Sequence, residues 1–168
     1  MKIERASRLT DSELIAQVAR LARGERAATV ALIVHLAEFD ARRLFAAFGF
    51  SSTFKYCVDV LRLSEDAAFN RIQAARMARE YPVVVDLLLE GALSPTTACM
   101  LSRHVTADNH VALLAAASGQ SKREVEKLLA GLFPQAERPA TVRPIRSPDH
   151  IMTGLAVETA LAAARATS

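Results

Sequence analysis

Asn70, Arg71, Gln73 and Arg76 are the side chains of this sequence best suited, by type and spacing, to recognise another molecule. Asp66, Asn70, Gln73 and Met77 recur at i, i+4, i+7 and i+11, which makes them one outward stripe of a helix over Glu65 to Arg79. Ala68, Ile72 and Ala75 then turn inward. Asn and Gln amides match adenine edges, and Arg71 and Arg76 flank the stripe where phosphates would lie. The chemistry on offer is recognition rather than bond breaking. Ser and Thr fall mainly at helix starts, where capping explains them. No glycine-rich phosphate loop and no cluster of carboxylates occurs.

The four histidines, His35, His104, His110 and His150, do not approach one another in sequence. His35, on a nearly apolar helix, is expected to be a hydrogen-bonded core or interface residue. His104 and His110 lie near helix ends, where they serve carbonyls or solvent. Cys57 and Cys99 are too isolated for a metal knuckle or a disulfide framework and sit on apolar helix sides, as small core residues in a reducing cytoplasm do. No cofactor, metal or catalytic residue is expected.

Composition says what must position the stripe. Of the 168 residues 51% are apolar but only 5% aromatic, so alanine and leucine carry the core and favour helix over strand. The net charge of +3 is too small for a polycation, and nucleic-acid contact would need local placement of the 17 arginines, which outnumber lysine by 17 to 4. The polar start MKIERASRLTDSE has no apolar signal core, and no run approaches the ~18 residues of a membrane span. A cytoplasmic, membrane-free protein is expected.

The pattern predicts an all-α, multi-helix domain with a long N-terminal helix and an embedded helix-turn-helix. Residues 1–9, with Lys2, Arg5 and Arg8, read as a flexible basic arm. Thr10 and Glu13 form a capping box that starts a helix with Leu14, Val18 and Leu21 as its buried stripe. Gly24 does not forbid one helix through Phe39, whose half from Ala27 onward is apolar nearly all round, as a central helix or a homodimer seam would be. Ala41 to Phe48 is a short helix ended by Gly49. The helix-turn-helix occupies about 52–79: Phe54, Cys57, Val58 and Leu61 mark a first helix, and Ser64 caps the second. Pro82 and Gly91 bound another helix, Ser94-Pro95 starts one, and Thr106 opens one through Ala117. Ser121 with Glu124 caps a last one bearing Val125, Leu128, Leu129 and Leu132. The helical domain thus covers 10–133. Residues 134–149, with four of the six prolines and Arg138, Arg143 and Arg146, read as a linker. Residues 150–168 read as a weak Ala-rich helix, or as a diverged or truncated tail.

The succession LTDSELIAQVARLARGERAATVALIVHLAEFDARRL, FSSTFKYCVDVLRLSEDAAFNRIQAARMAREYP, LLLEGALSPTTACMLSRHVT and SKREVEKLLAGLFP resembles the helical N-terminal region of a bacterial family of HNH-endonuclease-like proteins. The likeness spans roughly residues 9–134. The stretch from Leu63 to Leu101 is also similar, more loosely, to the DNA-binding helices of ParB-type partition proteins. Family members carry a ββα-metal nuclease after the helical part, with a His pair, an Asn and often CxxC pairs. Here Asp149-His150 is the sole Asp-His pair, with no second His or Asn to match. The resemblance therefore implies a double-stranded-DNA-binding module without the nuclease motif. Two alternatives stand beside it: a homodimerisation or protein-interaction module without DNA binding, and a fragment of a metal-dependent endonuclease.

Overall fold

The structure, a computed structural model, describes residues 6–134. The chain divides between Gln135 and Ala136, next to the change of character at Pro134. The expectations for residues 1–5, for the linker beyond Pro134 and for residues 150–168 lie outside the described residues.

The described residues are all helical, with no strand. Helix α1 runs from Asp11 to Ala41, α2 from Thr53 to Asp59, α3 from Glu65 to Glu80 and α4 from Val83 to Glu90. They are followed by α5, Pro95–Leu101, α6, His110–Ala117, and α7, Lys122–Leu132. A short 3₁₀ helix, Leu44–Phe48, links α1 to α2.

Local chemistry sets these boundaries. Thr10 and Glu13 close the capping box that begins α1, and Ser121 and Glu124 do the same for α7. Ser52, Ser64 and Ser94 each accept a bond from a first-turn amide of the following helix. Gly24 lies inside α1 without breaking it. Gly49 and Gly91 end their helices in the left-handed region, at φ 78° and 80°. Arg43 takes φ 53° where α1 turns into the 3₁₀ helix, so the segment from Ala41 to Phe48 begins as the last residue of α1. Helix α6 starts four residues later than the sequence pattern predicts. The Asn109 side chain accepts from the Thr106 amide and donates to the His104 carbonyl, which holds residues 106–109 as a turn.

The core is built around α3, which packs against α1, α2, α4 and α5. Val30, Ile33 and Leu36 of α1 meet Cys57 of α2, Ala68, Ile72 and Ala75 of α3, and Val84 and Leu88 of α4 in one cluster. Helix α5 adds Ala98 and Leu101 and carries α6 and α7 on its far side through Leu113, Leu114, Val125 and Leu129. The many alanines of α3 let neighbouring helices come close on several sides. Both cysteines are free and buried, and burial pushes each thiol up. They fill space, as the sequence predicts.

Candidate functional site

Helices α2 and α3 follow one another across a short connecting turn. Leu63 N donates to the Cys57 carbonyl at 3.1 Å, and Arg62 sits at φ 57°, so the chain reverses within Val60 to Ser64 before Ser64 opens α3.

The orientation of α3 differs from the expected one. Ala68, Ile72, Ala74, Ala75, Met77 and Ala78 are all buried, and at 100° per residue they sweep an arc of about 220°. What remains open carries Glu65, Asp66, Phe69, Arg76, Arg79 and Glu80, with Gln73 half-buried beside them. Met77, expected on the outward stripe, lies in the core. Asn70 is turned toward α5, where its Nδ2 donates to Thr96 Oγ1 at 3.3 Å. Helix α5 covers the side that the spacing alone had left to solvent.

The two flanking arginines are engaged within the fold. Arg71 bends back on its own helix, Nη1 donating to the Ala67 carbonyl at 3.2 Å, and its Nε is buried with no hydrogen-bond partner among the described residues. Arg76 Nε donates to Asp40 Oδ2 at 2.8 Å, and Nη2 reaches Oδ1 at 3.4 Å. Thr53 Oγ1, itself buried, donates to Asp40 Oδ1 at 2.6 Å. The Arg76 guanidinium holds the Asp40 carboxyl below its ordinary range, with the Thr53 hydroxyl helping and partial burial opposing. Of the four predicted contact residues, only Gln73 and Arg76 share a surface.

That surface is the wall of a cleft of about 410 Å³ between the 3₁₀ helix, α2 and α3. Phe45, Phe54, Phe69 and Ile72 line it, with Asp40, Ser52, Thr53, Gln73 and Arg76 as its polar groups. Asp40, Thr53 and Arg76 satisfy one another, and Ser52 Oγ caps α2 by accepting from the Lys55 amide at 3.2 Å. The half-buried Gln73 amide and the exposed remainder of the Arg76 guanidinium are left to meet a ligand.

Histidines elsewhere have structural settings. His35 is hydrogen-bonded, with Nδ1 2.7 Å from the Ala31 carbonyl, but it is exposed, so of the core and interface settings expected for it the core is ruled out. His104 stacks on Phe133 with ring centroids 4.6 Å apart, and His110 on Tyr81 at 4.9 Å. Among the described residues no group of three or more His, Cys, Asp or Glu side chains could hold a metal, and no helix is long and apolar enough to cross a membrane.

A second surface lies on α1. Arg26 marks the edge of the body: its guanidinium reaches the Glu90 carbonyl at 3.3 Å and rests against Gly91. N-terminal to it, from Asp11 to Glu25, no residue is buried. The stripe that the sequence pattern assigns to the interior is therefore open: Leu14 is 40% exposed, Val18 58%, Leu21 48%, and the neighbouring Ile15 71%. The amphipathic pattern was visible in the sequence; that it has no cover among the described residues was not. The other half of α1 is also less enclosed than expected, since Val30, Ile33 and Leu36 are buried while Ala31, Val34 and His35 face outward.

Comparison of the chain with protein-family models, with curated proteins and with solved structures finds no match.

Proposed function

We propose that this chain is a helical protein-interaction module, built like the non-catalytic part of HNH-endonuclease-like proteins, with the first half of α1 as its docking surface. The observation that carries this reading is the row of Leu14, Ile15, Val18 and Leu21, exposed on a half-helix in which none of the residues from Asp11 to Glu25 is buried. Isolated helices of about 15 residues are marginal in water, and open rows of large apolar side chains mark contact sites.

The test is a photoreactive residue in place of Val18, compared with one in place of the exposed Asp86, in cells that make the protein. A discrete cross-linked protein adduct at position 18 alone is expected. No adduct, or the same smear at both positions, would remove the reading.

A second reading, double-stranded DNA held by α2 and α3, is favoured by their helix–turn–helix connection and by Gln73 and Arg79 on the open arc of α3. Charge weighs against it. The open arc bears Glu65, Asp66 and Glu80 against Arg76 and Arg79, and Arg76 is already bound to Asp40. Carboxylates at the first turn repel the phosphates that a groove-inserted helix must approach. Anisotropy titration against mixed duplex DNA at low salt separates the two readings. Saturable, salt-sensitive binding at tens of micromolar or below, the upper range of non-specific binders at about 10⁻⁴–10⁻⁶ M, would restore DNA.

A further inference from the structure

We propose that the half of α1 from Asp11 to Glu25 pairs antiparallel with the same half-helix of a second copy of this chain. This rests on the reading of that half-helix as a docking surface and names its occupant.

The apolar row is a continuation of the helix's own buried face. Projected at 100° per residue, Leu14, Ile15, Val18 and Leu21 fall within the same arc of about 120° as Ile33 and Leu36, which are buried in the core. Over the second half of α1 that face is covered by α3 and α4. Over the first half it runs on for about 22 Å with no cover among the described residues. A partner that lies parallel and in register would have to follow the face into α3 and α4. An antiparallel partner uses only the open half, and its body sits at the opposite end of the pair.

Charge selects the same arrangement. Residues 11–17 carry Asp11 and Glu13, a net −2, whereas residues 20–25 carry Arg20 and Arg23 against Glu25, a net +1. Parallel pairing sets like against like at each end. Antiparallel pairing about Val18 sets each acidic end beside the basic end of the other copy, and also opposes the helix dipoles. The surface matches itself, as a twofold contact requires. It is small, so association in the micromolar range is expected.

The test is sedimentation equilibrium of the full chain from about 1 to about 200 micromolar, a range suited to a contact of this size, with single-cysteine trapping beside it. A concentration-dependent dimer is expected. Val18→Glu with Leu21→Glu should leave it monomeric while keeping the melting midpoint of the dilute chain. Under mild oxidation Val18→Cys should link to itself, and Leu14→Cys should link to Ala22→Cys but not to itself; native Cys57 and Cys99 are buried and stay out of the reaction. Self-linking of Leu14→Cys and Val18→Cys alike would mean a parallel pair and overturn the proposal. So would a dimer that survives the double glutamate variant. A chain that stays monomeric overturns it too: a protein adduct at position 18 would then leave the docking reading standing with another partner, and no adduct would remove both.

Discussion

Arg76 on α3 is bound to Asp40 near the end of α1, 36 positions away, by a two-point contact with Nε–Oδ2 at 2.8 Å. Asp40 is the less exposed partner, with 18% of its side chain open against 56% for Arg76, and Thr53 adds a third contact from α2. One carboxylate thus ties α1, α2 and α3 together at the edge of the cleft. An arginine free to meet phosphate would have to leave this contact first.

Replacing Asp40 by Asn removes the charge that holds Arg76 and Thr53. A loss of about 1.5–3 kcal/mol is expected near neutral pH, the range for hydrogen bonds to charged groups. The sign with pH follows from the lowered carboxyl. A depressed folded-state pKa stabilises the protein above the unfolded value of about 3.9 and ceases to do so as pH falls through the lower folded value. Urea unfolding from pH 7 to pH 2 should therefore show wild type and Asp40→Asn converging below about pH 4. A constant gap would show that Asp40 acts through packing alone.

Ile33 and Val18 lie on the same side of α1 but have opposite surroundings, one fully buried and one more than half exposed. Ile33→Asp buries an unpaired charge and should cost on the order of 4 kcal/mol or more, enough to unfold many domains. Val18→Glu should leave the thermal midpoint of the dilute chain within about 2 °C, as surface changes usually do. Equal losses would place both in the core.

Two glycines should respond in opposite ways to alanine. Gly24 is helical with nothing within 4 Å of an added Cβ, so Gly24→Ala should favour the first half of α1 by about 1 kcal/mol. The gain should appear as helicity in the far-UV spectrum of the dilute chain. Gly91 has φ +80°, and an added Cβ would come within 2.6 Å of Arg26 Cζ. Gly91→Ala should cost about 1–2 kcal/mol from the backbone alone and displace the Arg26 contact to the Glu90 carbonyl. A neutral Gly91→Ala would show that the α4 exit can relax.

Arg71 and Arg76, both engaged internally, should not set any salt dependence of DNA binding. If duplex DNA binds at all, Arg71→Ala with Arg76→Ala should leave the slope of log K against log salt unchanged. A slope reduced by about 0.9 for each arginine would show that both reach phosphates after all.

Most helix starts were legible because the chemistry that makes them is local: Thr10, Ser64, Ser94 and Ser121 cap the residues that follow them. The all-α class and the burial of Ala68, Ile72 and Ala75 were legible for the same reason, from spacing within one helix. The outward face of α3 was not. Asn70 finds Thr96, 26 positions on, and Arg76 finds Asp40, so long-range partners took the side chains that spacing had left to solvent. Ala74 and Ala78 gave no signal of their burial, because alanine is at home on either side of a helix. The row on α1 shows the converse limit: periodicity reveals that a face is apolar but not what covers it.

Amide hydrogen exchange along α1, followed as a function of protein concentration, decides whether the first half of that helix is a docking surface. The docking account predicts that amides of the first half, up to Glu25, exchange quickly in the dilute chain and become protected as concentration rises. Amides from Val30 to Ala41 should stay protected throughout, since their helix face is held by the core. Val18→Glu with Leu21→Glu should abolish the gain. Strong protection of the first half at every concentration, or a gain that survives the double variant, would contradict the account.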